Sequence, residues 1–134
     1  MTDNMTLADT SGGAALAYLG DSVLETLTRE TLLRTGIHDA GRLNSMALSY
    51  VRATSQSRAL ENILPCLTDE EIAVFRRGRN AHSASVPRSA SAGEYRRATG
   101  MEALFGWLYL RGEDGRMREL FDIAYPDAGK SNEF

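Results

Sequence analysis

Apolar residues recur along much of this chain at helical spacing, and no segment sustains the alternation of a strand. From Ala14 to about Arg34, Leu16, Leu19, Val23 and Leu27 fall at i, i+3, i+7 and i+11, one stripe on one helix face. Gly36 stands where a residue with left-handed backbone would close that helix. A second helix is expected from Leu43 to Leu60, with Met46, Tyr50 and Ala53 on one face, before Pro65. Thr68-Asp69-Glu70-Glu71 reads as a capping box, Thr68 as N-cap and Glu71 three residues on, and opens a helix that turns Ile72, Val74 and Phe75 inward. Gly78 to Gly93 is small, polar and interrupted by Pro87, the composition of a loop. The helical period returns from Glu94, where Ala98, Met101, Leu104, Phe105 and Leu108 share a face. A last short helix around Met117, Leu120, Phe121 and Ile123 stops at Pro126. These elements predict an all-α fold.

A chain of 134 residues, 43% of them hydrophobic, can bury one core and is too short for two ordinary domains. The expected arrangement is a flexible N-terminal segment over 1–11, one domain over 12–125 and a flexible tail over 126–134. No apolar run approaches the roughly 18 residues of a membrane span, and Met1 to Asp9 has no basic start followed by an apolar stretch, so a cytoplasmic location is expected. Cys66 is the only cysteine, which excludes an internal disulfide and a cysteine-built metal site; a small buried hydrophobe is its expected role.

The net charge of −3 argues against a nucleic-acid partner until its distribution is considered. Between residues 76 and 97 six arginines stand against one acid, Glu94, while the remainder of the chain holds 9 basic and 17 acidic residues. Local phosphate binding on an otherwise acidic protein produces this asymmetry. An arginine-rich solvated face produces it equally well.

Two carboxylates look out of place. Asp21 interrupts the apolar run Ala17-Tyr18-Leu19-Gly20-Asp21-Ser22-Val23-Leu24, and at about 100° per residue it falls at the edge of the apolar stripe, where a charge needs a partner. Gly20 beside it costs about 1 kcal/mol relative to alanine inside a helix, unless something requires close approach to the backbone. Glu102 is likewise the lone acid of Thr99-Gly100-Met101-Glu102-Ala103-Leu104-Phe105-Gly106-Trp107-Leu108. Two such helices packed together could bring both acids to one point. A Mg²⁺ site needs little more, since this ion keeps several waters and takes one or two carboxylates with phosphate oxygens. Alternatively, each acid pairs with an arginine such as Arg96 or Arg97, or faces water. Other chemistries fare worse: His38-Asp39 has only His82 as a further histidine, too few for an HD phosphohydrolase, and no Walker A, GxSxG or HExxH pattern is present.

Leu19-Gly20-Asp21-Ser22-Val23-Leu24 resembles the core of the ribonuclease III signature helix, and Glu102-Ala103-Leu104-Phe105-Gly106 resembles its second acidic motif. Arg76-Arg77-Gly78-Arg79-Asn80-Ala81, Tyr95-Arg96-Arg97-Ala98-Thr99 and the lack of a sequence resembling an appended double-stranded-RNA-binding domain are similar to the Mini-ribonuclease III branch, over roughly Ala14 to Tyr125. The resemblance implies a helical homodimer that cuts each strand of an RNA duplex with Mg²⁺, Mn²⁺ being a possible substitute, and matures the duplexed ends of precursor 23S ribosomal RNA. It implies Asp21 and Glu102 as catalytic metal ligands. Larger ribonuclease III enzymes carry two further acids at the places of Ala17 and Thr99, a departure that the Mini branch shares. Because duplex RNA is held mainly through phosphates and 2′-hydroxyls, Arg76, Arg77, Arg79, Asn80 and Arg96 are candidate contacts. The family's groove-contacting loop adds His82, Ser83, Ser85 and Arg88. Arg79 and Arg96 could instead brace a catalytic carboxylate. Tyr18 stands where the family places an aromatic residue of the dimer interface; a plain core tyrosine is the alternative. A catalytically inactive RNA-binding or ribosome-associated module of the same fold is the other functional reading, against which the presence of both carboxylates weighs.

Overall fold

The structure, a computed structural model, describes residues 1–81 and 92–126, and within them lie seven α-helices and no strand. In chain order these are α1 (Asn4–Thr10), α2 (Gly13–Leu33), α3 (Ala40–Val51), α4 (Ala53–Ile63), α5 (Asp69–Arg79), α6 (Ala92–Leu110) and α7 (Asp114–Ala124), with one turn of 3₁₀ helix, Leu64–Cys66, before α5.

The core is organised around α6. Met101 and every residue from Ala103 to Leu108 are buried, as in a central element surrounded by others. Helices α1, α2, α4, α5 and α7 all pack on it. Helix α2 does so through Leu16, Val23 and Leu27 of the predicted stripe, and ends as expected, Gly36 adopting φ +87° just beyond it. Residues 4–10, inside the segment that composition reads as a loose lead-in, form α1: the Asp3 carboxylate accepts from the Thr6 N–H at 2.8 Å, and Ala8 is fully buried.

The single helix expected over Leu43–Leu60 is two. Arg52 is extended (φ −64°, ψ 141°) and separates α3 from α4. The partners of the two halves overlap only at α7. Helix α3 lies on α2, and Tyr50 near its end meets Phe121 and Tyr125, with ring centroids 6.4 and 5.0 Å away. Helix α4 turns Ala59, Leu60 and Ile63 into the core against α6 and α7, and one straight rod could not serve both.

The capping box at the start of α5 is present, and it carries more than a cap. Thr68 Oγ1 accepts from the Glu71 N–H at 3.1 Å, Glu71 Oε1 accepts from the Thr68 N–H at 2.9 Å, and the buried Glu71 carboxylate also takes Arg116 Nε and Nη2 at 2.8 and 2.7 Å. Arg116 Nη2 further donates to the Cys66 carbonyl at 2.8 Å, so α7 is tied to the turn that precedes α5. Cys66 itself is exposed, contrary to the expectation of a small buried hydrophobe. The 3₁₀ turn carries it on its outer side while Ile63 and Leu67 fill the core.

Removing Arg116 would strand a buried carboxylate. Arg116→Ala is expected to lower the unfolding free energy by about 2 kcal/mol at pH 7, measured by urea denaturation. The Arg116 guanidinium holds the Glu71 carboxyl below the usual carboxylate range. Its stabilisation is therefore complete above the ordinary value of 4.5 and is lost as pH falls through the lower folded-state value, so the difference between the two proteins should shrink on acidification.

Candidate active site

Helices α2 and α6 touch backbone to backbone. A Cβ placed on Gly20 would lie 1.6 Å from the Glu102 carbonyl oxygen, and one on Gly106 would lie 2.2 Å from the Leu16 carbonyl oxygen. Only hydrogen fits at these points. The close approach accounts for the glycines inside two otherwise well-formed helices, and it brings the side chain of Asp21, next to Gly20, to that of Glu102.

The two carboxylates meet in different surroundings. Asp21 is exposed, whereas Glu102 is half-buried. Burial first, then the hydrogen bond with Asp21 and the repulsion of its charge, push the Glu102 carboxyl from 4.5 up to about 8. Glu102 thus holds a proton at neutral pH when no cation is near. Such a pair suits a divalent cation, which can take the proton's place and remove the repulsion. Ala17, one turn before Asp21, is buried, and among the described residues no three His, Cys, Asp or Glu side chains cluster. A pair of carboxylates would be enough for an ion that retains water and accepts phosphate oxygens.

The arginines do not neutralise this pair. Arg97 makes its ion pair with Glu61 of α4, and Arg96 is exposed with no ion pair among the described residues. Arg76 and Arg77 are also exposed without one. Arg79 is half-buried; its guanidinium lies 5.8 Å from the Phe75 ring and its Nε donates to Asn80 Oδ1 at 3.3 Å. All three arginines of α5 occupy its last turn, where a cation is favoured by the unpaired carbonyls irrespective of any ligand. That turn abuts α6 beside the acid: a Cβ on Gly78 would meet the Ala103 Cβ at 2.5 Å and the Thr99 carbonyl oxygen at 2.9 Å. His82, Ser83, Ser85 and Arg88 lie outside the described residues. Tyr18, three residues before Asp21, is 87% exposed, which rules out a place in the core of the single chain.

Asp21 also borders a cleft of about 230 Å³ between α2 and the α3–α4 pair, where Thr28, Asn44, Tyr50, Gln56 and Tyr125 line the wall. Asn44 and Gln56 give no signal in the sequence because a neutral amide on a helix breaks no pattern. A larger cavity of about 340 Å³ shares Tyr50 and Tyr125 but contains neither carboxylate.

Residues 14–113 match the Ribonuclease III domain, a span that contains both carboxylates. The chain belongs to the ribonuclease III family. Its relatives place it in the Mini-ribonuclease 3 branch. It is 46% identical over 109 residues to Mini-ribonuclease 3 of Symbiobacterium thermophilum, covering 81% of this chain and 84% of that protein. With Mini-ribonuclease 3 of Brevibacillus brevis it shares 39% identity, covering 82% of each. A crystal structure of a Fusobacterium nucleatum protein superimposes with a TM-score of 0.78 at 29% identity, covering 87% of this chain and 95% of that one. The fold and the family anticipated from the two acidic motifs are therefore those found. Among the described residues of this ribonuclease III-type endoribonuclease, no helix is long and apolar enough to cross a membrane.

Proposed function

We propose that this ribonuclease III family member hydrolyses double-stranded RNA in a Mg²⁺-dependent reaction. The observation that carries the reading is the meeting of Asp21 and Glu102, which share a hydrogen bond where α2 and α6 touch backbone to backbone. When bound, a divalent metal supplies charge for the developing oxyanion and lowers the pKa of a water. Asp21, the exposed member, opens the pair to solvent, from which a phosphodiester would approach; Glu102 closes it from the core side.

Arg76, Arg77, Arg79, Asn80 and Arg96 contact the RNA backbone in this proposal. Exposed guanidinium groups without acidic partners are available for phosphate, and they read no sequence. Replacing Arg76 or Arg77 by alanine should weaken binding of any duplex. The slope of log affinity against log salt should fall by about one unit for each arginine that truly holds a phosphate. An unchanged slope would count that residue out.

Tyr18 joins the interface of a homodimer in this proposal, a large aromatic ring on the same helix face as Asp21 with no cover in the single chain. Tyr18→Ala is expected to shift the protein toward monomer in sedimentation velocity runs at micromolar concentration; a variant as dimeric as the parent would remove Tyr18 from the interface. The cellular substrate proposed from the Mini-ribonuclease III resemblance is the duplexed ends of precursor 23S ribosomal RNA.

The deciding experiment is a gel assay of long double-stranded RNA with the purified protein in low salt, with Mg²⁺ and with EDTA, alongside a precursor 23S duplex. Metal-dependent fragments establish the nuclease, and preference for the precursor establishes the task. Binding without cutting under both conditions would point to an inactive RNA-binding module instead.

A further inference from the structure

Each of the two packed helices carries its glycine where the other needs it. Gly20 lies against the carbonyl of Glu102, four residues before Gly106, and Gly106 lies against the carbonyl of Leu16, four residues before Gly20. The contact is therefore reciprocal and extends over one turn of each helix. One point of contact would leave the helices free to pivot, whereas two fix their separation and register together. Each helical glycine costs about 1 kcal/mol relative to alanine, so the arrangement favours close approach over helix stability.

The place where this happens is the metal-site pair itself. Asp21 follows Gly20 directly, and the carbonyl received by Gly20 belongs to Glu102. A methyl group at either glycine would have to displace a backbone oxygen 1.6 or 2.2 Å away, and backbone yields only by moving a helix. Carboxylate oxygens hold Mg²⁺ at about 2.0–2.1 Å with little tolerance. An outward step of about an ångström is thus large for the cation, although it is small for a helix interface.

We infer that Gly20 and Gly106 are positioning residues, a reciprocal backbone lock that sets the spacing and register at which Asp21 and Glu102 share one divalent cation. This rests on the reading that those two carboxylates hold the metal. Gly13 supplies an internal comparison. A Cβ there would lie 2.2 Å from the Arg77 carbonyl oxygen, a clash as severe as that at Gly106, but eight residues and about 12 Å of helix away from Asp21.

The test is Mn²⁺ binding followed by electron paramagnetic resonance, without RNA, together with urea unfolding, on Gly106→Ala, Gly13→Ala, Asp21→Asn and Glu102→Gln. Gly106→Ala is expected to weaken Mn²⁺ binding about tenfold or more, whereas Gly13→Ala, with a similar loss of stability, stays within about threefold of the parent. Adding Asp21→Glu to Gly106→Ala should recover part of the affinity, because one more methylene reaches across the widened gap. A folded Gly106→Ala with parental affinity, or a Gly13→Ala that loses as much, would reduce the glycines to ordinary packing and overturn the inference. Should Gly106→Ala not fold, Glu102→Asp answers instead: it leaves both glycine contacts intact and shortens one ligand, and fixed helices predict a loss of about tenfold. Parental affinity in that variant would mean the helices adjust, which also overturns the lock. If Asp21→Asn and Glu102→Gln both bind Mn²⁺ like the parent, the metal site itself is misplaced; if only those two lose affinity, the site stands and the lock alone fails.

Discussion

Asp21→Asn and Glu102→Gln are each expected to lower the rate of double-stranded RNA cleavage by on the order of a thousandfold or more, with the helical fold intact. Either change keeps the shape of the side chain and removes the charge that a divalent cation needs. Neither should damage the core. Asp21 is exposed, and Glu102 at neutral pH already carries a proton, so a neutral amide is close to the state that the metal-free protein adopts. Loss of activity and loss of fold are thereby separable. Initial rates at saturating RNA in Mg²⁺, with circular dichroism on the same samples, measure both. A variant that cuts within about tenfold of the parent would remove its residue from the metal site, because loss of a true ligand takes away several kcal/mol of charge stabilisation.

Those two acids were legible in the sequence because each broke a pattern. Asp21, at the edge of an apolar stripe with Gly20 next to it, violates two local preferences at once, and Glu102 is the lone acid of an apolar run. What the sequence could not say was whether arginine or a second acid stood opposite. Arg97 was as plausible a partner for Glu102 by spacing, yet it turns to Glu61 on α4, a residue 36 positions earlier. The break at Arg52 was hidden for the same reason. No proline or glycine marks Val51-Arg52-Ala53, and the reason for the break is tertiary: Tyr50 is half-buried against Phe121 and Tyr125, whereas Leu60 is buried in the core beside Ala59 and Ile63. Local chemistry served better where the signal was itself local: the Thr68–Glu71 box and the left-handed Gly36 are both where composition put them. The second role of Glu71, as partner to Arg116, was not legible, since the two are 45 residues apart.

The packing around α6 explains why function and stability conflict at this site. The arrangement that brings Asp21 to Glu102 also buries Glu102, and burial is the first cause of its raised pKa. A carboxylate pair accessible enough to avoid this conflict would also be more hydrated, and would bind a cation with less to gain.

The cost should be measurable in the metal-free protein. In the unfolded chain Glu102 loses its proton near 4.5, whereas in the folded chain it keeps it up to about 8. Between these values the folded state binds a proton that the unfolded state does not, so the contribution of this group to stability falls as pH rises from about 4.5 to about 8 and levels off above. Glu102→Gln has no such term. In EDTA the variant and the parent should unfold at similar temperatures near pH 5, and by pH 8 the variant should be more stable by about 2–4 kcal/mol, or roughly 5–15 °C. Mg²⁺ should close the gap from the other side, by stabilising the parent more at pH 8 than at pH 6, where protons compete for the same oxygens, and by leaving the variant almost unmoved. Calorimetry of both proteins at three pH values, with and without the ion, resolves these effects. A parent that matches Glu102→Gln at pH 8 in EDTA would mean that the Glu102 carboxyl is neither desolvated nor crowded by Asp21, and the case for a cation between them would lose its electrostatic basis.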